Sequence, residues 1–150
     1  MNSQIWYPHV TVAAICERDG KFLLVEERSK TSNALVLNQP AGHLDENETL
    51  LEAVIRETRE ESCCHFSPEA IIGLYRLVSD SGKTYIRYTF SGQVGEPDAA
   101  LSLDPDIIKT HWLTIEQIKA ADNLRSPLVI NCIEDYLAGI RHPLSLLREI

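Results

Sequence analysis

Residues 49 to 62, TLLEAVIRETREES, carry the strongest local instruction in the chain. Thr49 and Glu52 have the spacing of a capping box, in which the threonine side chain accepts from the third helical N–H and the glutamate reaches back to the cap. The spacing predicts a helix from about Leu50 to Ser62. At about 100° per residue, Leu51, Val54, Ile55 and Thr58 fall on one stripe, expected to be buried. Glu57, Glu60 and Glu61 gather on a neighbouring face at i, i+3 and i+4, so three carboxylates are expected to share one exposed side. A helix with an apolar stripe has to lie against something, and the segments on both sides of it read as strands.

HVTVAAIC (9 to 16) and GKFLLVEE (20 to 27) are rich in apolar and β-branched residues and flank Asp19-Gly20, which predicts a hairpin of two strands. ALVLNQPAGHL (34 to 44) begins apolar and then meets Pro40 and Gly42, so extended chain should give way to a loop that runs to about Glu48. A second hairpin is expected from IIGLYRLVS (71 to 79) and TYIRYTFSGQV (84 to 94) around Asp80-Ser81-Gly82-Lys83. A polar loop over 95 to 106 leads to a short strand, THWL (110 to 113). Thr114 and Gln117 form another capping box, for a helix to about Ala121. Ser126-Pro127 starts an amphipathic helix that carries Leu128, Ile130, Ile133, Leu137 and Ile140. Strands and helices mixed in this order predict an α/β (α+β) sandwich, one domain over 1–150, with the acidic helix against a mixed β-sheet.

Composition narrows the function. Fourteen Lys and Arg against twenty-two Asp and Glu give a net charge of −8, which repels a phosphodiester backbone and argues against nucleic-acid binding. No apolar run approaches the length of a membrane span, and the first residues show no secretory signal, so a cytoplasmic location is expected. Cys16, Cys63, Cys64 and Cys132 lack CxxC pairing, and reduced thiols are expected. Cys63-Cys64-His65 would suit zinc only if a fourth ligand converged on it.

Gly42, five residues, Glu48, seven residues, then Arg56-Glu57-x-x-Glu60-Glu61 resembles the Nudix box, here spanning 42–64. All six leading Gly, Glu and Arg positions match, a coincidence expected by chance on the order of once in 10⁵ chains of this size. PHVTVA (8 to 13), NQPAGHL (38 to 44) and NLRSPLV (123 to 129) are similar to stretches of the bacterial NudJ-type phosphatases, a Nudix subgroup. Three positions depart from the box. Thr58 and Cys64 replace aliphatic residues, and Cys63 replaces a glycine. Because helices often end on a left-handed glycine, Cys63 bears on stability.

The resemblance implies an α/β/α sandwich with a loop-helix-loop motif and a hydrolase of phosphoanhydride bonds that uses Mg²⁺, with Mn²⁺ able to substitute. It implies Glu57, Glu60, Glu61 and Glu48 as the metal-site residues, with Arg56, Glu57 and Glu60 in catalysis and Arg56 clamping a box glutamate, Glu48 first. The physics agrees: clustered carboxylates on a rigid helix hold a hard cation that neutralises phosphate charge and activates water. Gly42 is expected to serve the loop by permitting a positive φ. Asp106, among the acids of the 95 to 106 loop, is the candidate general base outside the box. Gln39, Arg28 and Arg125 are candidate substrate contacts. The expected partner is a small phosphorylated substrate, nucleoside tri- and diphosphates or hydroxymethylpyrimidine diphosphate, with stepwise orthophosphate release, and the chain is expected to be a monomer or homodimer. A diphosphate isomerase on the same scaffold and a nucleotide sensor without hydrolysis are the competing readings.

Overall fold

The structure is a computed structural model that describes residues 4–150. Two four-stranded sheets share the work. β1 (His9–Ile15), β5 (Ala41–His43), β6 (Phe66–Val78) and β7 (Thr84–Val94) form a mixed sheet in the order β5-β1-β7-β6, with β1 and β7 parallel and the other pairs antiparallel. β2 (Glu17–Arg18), β3 (Lys21–Arg28), β4 (Leu35–Asn38) and β8 (Ile107–Leu113) form an antiparallel sheet around β3.

The expected first hairpin is therefore corrected. The turn at Asp19-Gly20 joins β3 only to the two-residue β2, while the preceding strand β1 lies in the other sheet. The turn is local, but β1 finds its partners far along the chain, where seven consecutive registers with β7 bury Val12, Ala13, Ala14 and Ile15. The second hairpin forms as expected, although β6 begins at Phe66 rather than 71, and β8 begins at Ile107 rather than 110.

Helix α1 (Leu50–Ser62) has the predicted limits and both halves of its capping box. It packs through Ala53 and Val54 onto Val12, Ala14, Leu23, Phe66 and Phe90. Its buried set is Ala53, Val54, Thr58, Glu61 and Ser62, with Leu51 and Ile55 half-buried, so the stripe is rotated toward the acidic face. Thr58 satisfies its hydroxyl on Val54 O at 2.8 Å. α2 (Ile115–Ala120) follows β8 behind its own capping box. α3 (Leu128–Leu137) covers the opposite side, where Leu128, Val129, Cys132 and Ile133 join Ile15, Phe22, Leu24 and Ile72 in a second core. Pro127 is already in helical geometry and Ser126 Oγ accepts from Leu128 N, but the helix stops at Leu137, one turn short of its apolar pattern, and both Leu137 and Ile140 are exposed.

Helices on both faces of the sheets make the arrangement the expected α/β/α sandwich. All four cysteines are buried and free. Among the described residues no helix is long and apolar enough to cross a membrane.

Candidate active site

Arg56 is the hub of the acidic helix. Its Nε donates to Glu48 Oε2 at 2.9 Å and its Nη2 to Glu48 Oε1 at 2.6 Å, a two-armed clamp between α1 and the loop before it. Nη1 donates to Glu57 Oε1 at 2.8 Å and Glu60 Oε2 at 3.2 Å. A fifth contact, Nη2 to His43 O at 3.1 Å, ties the same guanidinium to the end of β5. The hydrogen bond from Arg56 holds the Glu48 carboxyl below its ordinary range, and Asp45 N adds another donor at 2.7 Å. Both Glu48 oxygens are thus engaged.

The three helix carboxylates are not equally exposed, contrary to the expectation of one solvated side. Glu61 is buried at 8% exposure, the Glu57 side chain is at 13% and that of Glu60 at 42%. The reason is the chain segment that crosses above them. Ala41 N donates to Glu61 Oε2 at 2.9 Å, and Gly42 lies so close to Glu57 that a Cβ there would collide with its carboxylate. Gly42 does not serve a positive φ, as the sequence suggested. It sits in extended β5 opposite Val12, and close approach is what excludes a side chain.

Burial and crowding act on this face electrostatically. Burial raises the Glu61 pKa to about 9 against the help of the Ala41 N–H, and the charges of Glu27, Glu57 and Asp104 push the same way. Burial also raises Glu57, opposed by Arg56 and reinforced by Glu60 and Asp45. A cation brought between these groups would relieve both effects.

As the side chains stand, no set of three or more Asp, Glu, His or Cys groups among the described residues is arranged around an ion. Arg56 Nη1 bridges Glu57 and Glu60 instead. The donor chemistry nevertheless fits a hard divalent cation. One oxygen each of Glu57, Glu60 and Glu61 is free of the hydrogen bonds described above, all are carboxylate oxygens, and Glu57 and Glu61 are one helical turn apart.

The other predicted residues divide. Gln39 is 1% exposed, its Nε2 donates to Val129 O at 2.8 Å and its Oε1 accepts from Arg87 at 3.3 Å, so it works as a strut between β4 and α3. Arg28 donates to Asn33 O at 3.2 Å within its own loop. Asp106 pairs with Lys30 at 3.2 Å, its side chain half-exposed, whereas its neighbour Asp104 is the loop acid whose charge reaches Glu61. Asp104 N also donates to Glu60 O at 2.8 Å, which fixes the loop to α1. Arg125 reaches Glu27 at 3.3 Å.

Glu27 and Arg87 were not singled out from the sequence. Glu27, half-buried beside Arg125, is raised by burial and contributes to the field at Glu61. Its signal was an acid that continues the buried stripe Leu23, Val25 along β3. Arg87 is a buried cation in the middle of β7.

The NUDIX domain family matches residues 7–131. Phosphatase NudJ of Escherichia coli strain K12 is 40% identical over 143 residues, which cover 95% of this chain and 92% of the relative. The chain belongs to the Nudix family. A NUDIX hydrolase from Nitrosomonas europaea superposes with a TM-score of 0.92 at 46% identity, covering 96% of this chain and 98% of the other. The NUDIX domain of Shewanella oneidensis NrtR, solved with ADP ribose, shares the fold at a TM-score of 0.74 and 16% identity, covering 90% of each chain. The protein is thus a Nudix phosphohydrolase, and Nudix hydrolases generally use a divalent metal and act on small phosphorylated substrates.

Proposed function

We propose that this Nudix domain is a Mg²⁺-dependent cytoplasmic enzyme that removes orthophosphate stepwise from nucleoside tri- and diphosphates and acts on hydroxymethylpyrimidine diphosphate. The observation that carries the reading is the pairing of Glu57 and Glu61 under the Ala41-Gly42 strand, beside Arg56, in a chain 40% identical to a named phosphatase along nearly its whole length. Support for the substrate class comes from that identity.

Glu57 and Glu61 would hold the cation through their free oxygens, with Glu60 close by, and Glu48 would serve by anchoring Arg56. A bound Mg²⁺ supplies charge for the phosphate oxygens and acidifies a water. The chain itself does the remaining work. Arg56 orients Glu57 and Glu60, the Ala41 N–H fixes Glu61, and burial keeps bulk water off the Glu57 and Glu61 oxygens, which strengthens every charge interaction there. Glu60, the most open of the three, takes the proton from the attacking water. The loop acids Asp104 and Asp106 then act on position, through the Glu60 carbonyl and Lys30 respectively.

The test is a phosphate-release screen across nucleotides, nucleotide sugars, dinucleoside polyphosphates and thiamine-pathway diphosphates, with orthophosphate and pyrophosphate separated. Hydrolysis of nucleoside di- and triphosphates to orthophosphate, lost in Glu57→Gln and Glu61→Gln, is expected. Tight nucleotide binding with no product over hours would replace the enzyme reading by a sensor, and pyrophosphate as the sole product would overturn the stepwise route.

A further inference from the structure

Arg87 stands between Thr11 of β1 and Tyr75 of β6 in the sheet register and is only 7% exposed. Its Nη1 donates to Gln39 Oε1 and its Nη2 to Asn38 Oδ1, each at 3.3 Å. Both acceptors are neutral amides at long range and use two of the five N–H donors, and the further partner, Cys132, is a thiol that burial keeps protonated rather than an anion. Among the described residues Arg87 forms no ion pair, and the acids that feel its charge are committed elsewhere. Glu27 faces Arg125 at 3.3 Å, and Glu61 accepts from Ala41 N at 2.9 Å. A buried guanidinium without an anion is costly, and a fold that keeps one has a charge to meet there.

Its placement says which charge. Asn38 and Gln39, which hold the guanidinium, are followed after Pro40 by Ala41 and Gly42, which cover Glu61 and Glu57. Gln39 cannot turn away, because its other end is fixed on Val129 O at 2.8 Å. The cation is therefore held rigidly on the chain segment that roofs the carboxylate face. A guanidinium presents donors in a planar fork that matches phosphate oxygens.

We propose that Arg87 receives the phosphoryl group adjacent to the one bound at the Glu57–Glu61 face, and so makes the diphosphate unit, rather than a lone phosphate, what this site recognises. The inference rests on the hydrolase reading above and adds a specificity residue to it. A monophosphate can fill the carboxylate side but leaves Arg87 unmet. A diphosphate answers both.

The experiment measures binding of methylenediphosphonate and of orthophosphate to the whole protein by calorimetry with Mg²⁺ present, in wild type, Arg87→Lys and Arg87→Met. Urea titration identifies which variants are folded, and the lysine variant keeps the buried charge should methionine not fold. Expected is a loss of roughly 10- to 100-fold in diphosphonate affinity in Arg87→Met, less in Arg87→Lys, with orthophosphate affinity within about threefold of wild type. KM for a nucleoside diphosphate should rise in parallel. Unchanged diphosphonate affinity in a folded variant overturns the proposal, as does equal weakening of both ligands, the signature of a purely structural residue. A wild type that binds the diphosphonate through Arg87 but hydrolyses nothing would sink the proposed function alone.

Discussion

Arg56 and Glu48 meet through two parallel hydrogen bonds of 2.9 and 2.6 Å, eight residues apart in sequence and both largely shielded from solvent. The contact locks the loop that precedes α1 to the helix and leaves Nη1 free to orient Glu57 and Glu60. Glu48→Gln keeps the shape and breaks the charge-assisted pair, which should cost about 1.5 to 3 kcal/mol of stability and lower the melting temperature by several degrees. Activity should fall roughly 10- to 100-fold through misplaced carboxylates. A double-mutant cycle of Glu48→Gln with Arg56→Lys, read by urea titration and kcat/KM, checks the coupling. Additive effects would show that the two residues act independently.

Gly42 offers a cleaner separation of activity from stability. Its place is set by contact with the Glu57 carboxylate, whose three terminal atoms are the nearest that an added Cβ would meet. Gly42→Ala should therefore displace Glu57 and cost about 100-fold in kcat, since an error of roughly 1 Å at a reacting centre has effects of this size. Unfolding by urea should change by no more than about 1 kcal/mol, as expected where only a flexible side chain has to move. Full activity in this variant would remove Glu57 from the site.

What the sequence made legible follows the range of the interactions involved. α1 was readable to its last residue because a capping box and helical periodicity act within a few residues, and the box glutamates ride on it. The pairing of β1 with β7, separated by some seventy residues, left no local trace, and Asp19-Gly20 pointed to the wrong partner. Arg87 hid for a different reason. In TYIRYTFS, Tyr85, Arg87, Thr89 and Ser91 alternate with Ile86, Tyr88 and Phe90 as a solvent face would, but the strand is central and covered on both sides, so the polar face became buried chemistry. Glu61 was placed on the correct helical face, while its burial comes from Ala41, which helical periodicity does not encode.

The pH behaviour of the metal-free protein should report on Glu61. An unfolded glutamate titrates near about 4.3, whereas the folded group is raised to about 9, burial being the first cause. Between these values the folded state holds the extra proton. This contribution to stability is fully present below about 4.3 and is lost as pH rises through about 9. Glu61→Gln should flatten that decline when melting temperatures are compared across the range. Cation binding near neutral pH should also expel a proton, seen as a calorimetric heat that depends on the ionisation enthalpy of the buffer. The same heat in every buffer would show that Glu61 is already ionised.

Cys63 ends α1 in the left-handed region, φ 59° and ψ 14°, with its N–H on Arg59 O at 2.8 Å. A residue with a Cβ costs roughly 1 kcal/mol there relative to glycine. Cys63→Gly removes that strain and also a buried sulfur, 7% exposed, whose packing offsets part of the gain. The net expectation is stability unchanged or raised by up to about 1 kcal/mol in urea titration. Cys63→Val separates the two terms. It keeps an apolar side chain but adds β-branching where the backbone tolerates it least, and it should lose more than about 1 kcal/mol. Kinetics should be near wild type in both, because the hydrogen bonds of Cys63, to Arg59 O and from Asp98 N, are made by its backbone and not to the box carboxylates. If glycine destabilises the protein more than valine does, packing of the side chain at this helix end outweighs backbone strain.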